Sequence, residues 1–180
     1  PVAERRNYKS ALDAFSRIIA DEGVRRVFGH DRPHEIGRLI GYLPEERGLY
    51  PQMKCIEAIA FMGALRGLSL KEGRIRAAEL LERHGLGHAA NRTIRQLSKG
   101  MAQTVQLLGT LVHEPRLVVF DEPFSGLDPI SRGVVLRLIR ELNDALGITS
   151  IVVSHDVREI TAVADATGRQ LRVSWLPVQP

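Results

Sequence analysis

Two neighbouring carboxylates, Asp121 and Glu122, close an apolar run in "LVVFDEPFSGLDP", residues Leu117 to Pro129. An acidic pair at the end of a buried strand is a setting that commonly serves a magnesium-bound nucleoside triphosphate. Taken alone it could equally be a solvated turn or the charged start of a helix. Its neighbours add weight: "SGLD", Ser125 to Asp128, follows directly, and a later apolar run ends in "SHD" with His155 in the middle. A lone histidine is usually just partly buried, so His155 gains meaning only as one of a set. Upstream, "LSKGM" opens a helical stretch some twenty residues before the acidic pair. A serine and glycine at a helix start present free amides and a hydroxyl to an anion. The alternative reading of Ser98 is a plain cap of that helix.

What would hold the phosphates is not evident. A glycine-rich phosphate loop needs Gly-x-x-x-x-Gly-Lys and a following Ser or Thr, so that backbone amides wrap the oxygens and the lysine reaches them. No Gly-Lys dipeptide occurs in the 180 residues, and Lys9, Lys54, Lys71 and Lys99 are the only lysines. Losing several charged contacts of about 1.5–3 kcal/mol each would, after discount for non-additivity, weaken nucleotide binding about a thousandfold.

The elements around these residues define an α/β chain. "YKSALDAFSRIIADEG" puts Leu12, Phe15, Ile18 and Ile19 on one helical face, with Ser10 as a cap and Gly23 as a stop. "RLIGYLP" reads as a short buried strand over Leu39 to Leu43, ended by Pro44. From Met53 to about His113 the period is helical, with breaks at Gly67, at His84 to Gly87 and around Arg92 to Ser98. The order then becomes strand, helix, strand: "RLVVFD", "SRGVVLRLIRELNDALG" and "ITSIVVSHD". That order requires a parallel sheet, with Leu39–Leu43, Leu117–Asp121 and Ile148–Ser154 side by side and Met53–Gln96 as a separate helical lobe. Ligand crevices in such sheets lie at the C-terminal strand ends, where Asp121, Glu122 and His155 all fall.

Composition narrows the class. A hydrophobic fraction of 44% supports a real core, and the net charge of +4 is spread among interleaved acids and bases, so no nucleic-acid partner is expected. Cys55 is the only cysteine, which excludes an internal disulfide and fits a reducing, cytoplasmic setting. The longest apolar stretches fall short of a membrane span.

In order and spacing the motifs resemble the nucleotide-binding subunit of an ABC transporter, over roughly residues 25 to 165. "LSKGM" resembles the signature motif, "LVVFDE" the Walker B strand, "SGLD" the D-loop, Ser154-His155 the switch histidine, and "GYLPEERGLYP" the Q-loop segment. The resemblance implies a partial P-loop NTPase-type parallel sheet with a helical, signature-bearing subdomain. It implies ATP and magnesium as cofactors, with Asp121 and Glu45 on the metal, Glu122 as general base, and His155 at the γ-phosphate. Ser98, Lys99 and Gly100 would reach ATP held by a second nucleotide-binding subunit, in a homo- or heterodimer, and Asp128 would couple the two sites. A membrane-spanning transporter subunit is the other implied partner, placing the chain at the cytoplasmic face of a membrane.

Glu45 stands where the family usually has glutamine, and a carboxylate can also ligate magnesium. Lys99 and Met101 replace a glycine and a glutamine of the signature, so the polar contact of that glutamine is lost. The ends differ from the middle. Residues 4 to 28 resemble a mitochondrial carrier repeat segment, and "TGRQLRVSWLPVQP" lacks the expected tyrosine-rich strand. The expected organisation is an N-terminal helix over 1–28 of foreign character, a strand and Q-loop over 29–52, a helical subdomain over 53–113, a Walker B to switch-histidine core over 114–165, and an atypical tail over 166–180. A truncated or composite chain, acting as a non-catalytic dimerisation module beside a complete ATPase, is the alternative reading.

Overall fold

The computed structural model describes residues 38–46, 48–146 and 148–154. The expected N-terminal helix, His155 and the tail lie outside them. Among the described residues three parallel strands form a sheet in the order β1 (Ile40–Leu43), β2 (Leu117–Asp121) and β3 (Thr149–Val153). All three lie within a residue of the expected spans. Leu43, Phe120 and Val152 share one row, and Tyr42, Val119 and Ile151 the next, so their side chains alternate between the two faces.

Four helices fill the connections: α1 (Cys55–Ala64), α2 (Leu70–Arg83), α3 (Lys99–Leu111) and α4 (Pro129–Leu146). Each boundary has a local cause. Lys54 offers α1 no side-chain cap, so the Arg92 and Ala90 carbonyls accept from the Cys55 and Ile56 amides, at 3.0 and 3.1 Å. Ser69 and Glu72 cap α2 reciprocally. It ends at Gly85, whose φ of +73° only glycine adopts readily, with the Leu86 amide returning 2.7 Å to the Leu81 carbonyl.

The helical lobe is not a detached body. Helix α3 is buried from Gly100 to Leu111 at every position but Met101. One continuous core therefore joins Ala77 and Leu81 of α2, through Leu107 and Leu108 of α3, to Phe120 of β2 and Ile139 of α4. A helix buried on nearly all sides, its polar Gln103, Thr104, Gln106 and Thr110 included, is enclosed by both lobe and sheet.

His113, just beyond α3, makes the fold pH-sensitive. Its Nε2 lies 3.2 Å from the Ile40 carbonyl, so that nitrogen donates, while Nδ1 is buried without a partner. Burial holds the imidazole below its ordinary pKa, Arg66 and Arg76 push the same way, and the Ile40 bond opposes them. Protonation at Nδ1 would bury an unpaired cationic N–H. With the folded value lowered, this contribution is complete above the unfolded pKa of about 6.5 and is lost as pH falls through the folded value. His84, also lowered by burial, adds in the same sense. Melting temperature is expected to fall from pH 7 toward pH 5, and less steeply in His113→Gln; equal slopes would contradict this.

Candidate functional site

At the C-terminal end of the sheet the two acids are held from opposite sides. The Tyr42 hydroxyl, on β1, donates to Oδ2 of Asp121 at 2.9 Å. On the other side the Ser154 hydroxyl, just past β3, lies 3.3 Å from Oε2 of Glu122, and the Glu122 amide donates to the Val153 carbonyl at 2.8 Å. Strand alternation does not turn Glu122, because β2 ends at Asp121. Glu122 has φ of +46°, a left-handed conformation that is uncommon and costly for a residue with a Cβ. Burial raises the Asp121 carboxyl above its usual range, the Tyr42 bond pulls it back, and the Glu122 charge raises it again. Burial, the bond to Asp121, and the charges of Asp121 and Glu45 raise the Tyr42 phenol further, so it remains a donor.

The signature and D-loop segments meet at a second place. Ser98 is the N-cap of α3, accepting from the Met101 amide at 3.2 Å. Asp128 does the same for α4: Oδ1 accepts from the Ile130 and Ser131 amides at 3.0 Å each, and Oδ2 from the Ser131 hydroxyl at 2.6 Å. Those bonds, the side-chain one foremost, hold its carboxyl below the usual range. Gly100 is buried against Ser131, and a Cβ there would collide with the serine side chain. The Lys99 ammonium lies over Gly126, at φ +61°, where any side chain would displace it.

Two buried glutamines tie helix α3 to both loops of the acid site. Gln103 donates from Nε2 to the Pro123 carbonyl at 3.0 Å, and Gln106 to the Glu46 carbonyl at 3.4 Å. Exposed Glu45 lies close enough for its charge to act on Tyr42. The structure thus places Asp121 and Glu122 at the strand ends, with Glu45 within reach of Tyr42, and Ser98, Lys99, Gly100 and Asp128 at the helix starts. The sequence gives no role to Tyr42, Ser131 or the two glutamines, and names Ser154 only as part of the switch-histidine pair. The one signal for Tyr42 was a phenol near the end of a strand predicted to run beside the acidic one.

A hard cation suits the acid site. Asp121 keeps Oδ1 free of any described hydrogen-bond donor, and the charge of Glu45 acts on the Tyr42 that holds it. Among the described residues no group of three or more His, Cys, Asp or Glu could hold a metal. The ion would therefore complete its shell with water and phosphate oxygens, as magnesium does. The described residues contain no glycine–lysine phosphate loop.

Among the described residues no helix is long and apolar enough to cross a membrane. The sequence profile of the ABC transporter family matches residues 14–125, reaching into the segment read above as foreign. The chain is 33% identical over 144 residues to "Uncharacterized ABC transporter ATP-binding protein YhaQ" of Bacillus subtilis, covering 80% of this chain and 48% of that protein. It is 42% identical over 134 residues to "Intermembrane phospholipid transport system ATP-binding protein MlaF" of Haemophilus influenzae, covering 73% and 50%. The chain thus spans about half the length of the curated relatives it matches. Its fold superposes on the dimeric structure of MJ0796, a bacterial ABC transporter cassette, with a TM-score of 0.61 and 28% identity, over 71% of this chain and 57% of that one. The same cassette has been solved as a dimer in a post-hydrolysis state bound to ADP and Pi. With signature helix, acidic strand and D-loop in one parallel α/β frame, and with a family match over residues 14–125, the chain belongs to the ABC transporter family.

Proposed function

We propose that the chain works as the ATP-binding subunit of an ABC transporter, coupling ATP binding and hydrolysis to transport across a membrane, with each nucleotide shared between two such subunits. The observation that carries this is the division of the acid pair, Asp121 held from β1 and Glu122 from the β3 side. A carboxylate bound to a cation is a poor base, so separating the two lets Asp121, with Glu45, take magnesium while Glu122, held from the Ser154 side, would accept a proton from water. Magnesium, when bound, would neutralise phosphate charge. His155, which directly follows Ser154, would contact the γ-phosphate and help place the water. Ser98, Lys99 and Gly100 would face the partner's nucleotide, and Asp128 would join the two sites through Ser131 and Gly100. A membrane-spanning subunit is the second partner, with the chain at the cytoplasmic face.

A non-catalytic role for the 180 residues alone is favoured by the pairing of an intact signature helix start with the absence of a Gly-Lys phosphate loop. The isolated chain is expected to show no magnesium-dependent ATP turnover above background. Phosphate release in a coupled assay checks this. Robust turnover abolished by Glu122→Gln would show that the chain holds the phosphates unaided.

A further inference from the structure

We propose that Tyr42 is a positioning residue for the cation site: its hydroxyl, donated to Oδ2 of Asp121, fixes the carboxylate so that Oδ1 is offered to a hard divalent cation. The inference rests on the reading of Asp121 as a cation ligand given above. Sheet register places the pair. Tyr42 pairs with Val119, so it shares a face with Asp121, which lies two residues further along β2. Two residues of strand span about 6.6 Å, roughly the reach of a tyrosine from its Cα to its hydroxyl. The bond at 2.9 Å therefore needs only an extended side chain.

Its effect on the carboxylate is specific. Oδ2 is occupied by the phenol, whereas Oδ1 accepts from no described residue and is not among the sealed, unpartnered atoms, so it is open to solvent. A carboxylate with one oxygen pinned loses rotation about its terminal bond, and its free oxygen is aimed before any ligand arrives. Tyr42 also lines a cavity of about 140 Å³ with Met62, Leu65, Thr110 and His113. Phenylalanine would preserve that lining and remove only the hydroxyl. Packing and positioning can thus be separated by one atom.

The test is a set of amide NMR spectra of the whole chain with ATP present and manganese, a paramagnetic substitute for magnesium, added stepwise. Paramagnetic broadening detects weak binding and needs no turnover. Signals of Leu43, Asp121 and Glu122 should broaden in the unsubstituted chain and stay sharp in Asp121→Asn. Tyr42→Phe should need about tenfold more manganese while its melting temperature shifts by less than about 3 °C. An unchanged midpoint in Tyr42→Phe, with Asp121→Asn still sharp, would overturn the role of Tyr42 and leave Asp121 as a ligand. Broadening indifferent to Asp121→Asn, or absent from the unsubstituted chain, would overturn the reading of Asp121 and this proposal with it. Should Tyr42→Phe melt much lower, Tyr42→Met serves as the second hydroxyl-free variant, and a midpoint unchanged there also counts against the role.

Discussion

Phe120→Ala is expected to cost about 3–5 kcal/mol of folding stability, in the range of buried phenylalanine truncations. Phe120 is 0% exposed and lies between Leu43 and Val152 in the central row of the sheet. It belongs to the same cluster as Leu107, Leu108 and Ile139, so its ring helps join sheet, signature helix and α4. Its neighbour in sequence is Asp121, and a collapse of β2 toward the cavity would move the carboxylate as well. At about 2–4 °C per kcal/mol for a chain of this size, the melting midpoint should fall by about 10 °C. Phe120→Leu, which keeps most of the volume, should lose less than half as much. Denaturation of the two variants side by side checks this, and a loss below about 1 kcal/mol for Phe120→Ala would mean that the ring is not central to the core.

Much of the frame was legible because its signals are local. "RLVVFD" and "ITSIVV" are short apolar runs rich in branched residues, too short for helices, and the periodic stretch between them forces a parallel pairing. The breaks in the helical region were legible because Gly67 and Gly85 both sit at positive φ, where glycine is the ready choice. Ser98 was read both as an anion contact and as a cap, and the structure shows the cap.

Features that depend on register or on burial of polar groups were not legible. Tyr42 and Asp121 are 79 residues apart, and only the alignment of Tyr42 with Val119 reveals that they meet. Gln103 and Gln106 look like ordinary polar positions on a helix. Their role follows from the near-complete enclosure of α3, which leaves each amide a loop carbonyl as partner, Pro123 for one and Glu46 for the other. The orientation of Glu122 does not follow from strand alternation, because the strand stops one residue earlier and a left-handed turn sets it. No periodicity marks such a turn, since glutamate is not a residue that favours it.

A shared nucleotide site makes association conditional on the ligand. Ser98 and Lys99 are exposed at the start of a helix of 13 residues, where the first amides carry partial positive charge. On the reading proposed above, a complete ATP-binding subunit would bring its own phosphate loop and acidic pair, and this chain would close that site with "LSKGM" even where its own site lacks a grip. The most direct measurement is size-exclusion chromatography with light scattering on this chain mixed with a complete, hydrolysis-deficient ABC ATP-binding subunit, with and without magnesium and ATP. Ser98→Glu places a carboxylate against the γ-phosphate, and Ser98→Ala controls for the lost cap, worth about 1 kcal/mol. The expected result is a heterodimer only with ATP and magnesium, retained in Ser98→Ala at reduced affinity and lost in Ser98→Glu. Failure to associate, or association indifferent to both ATP and Ser98→Glu, would contradict the shared site.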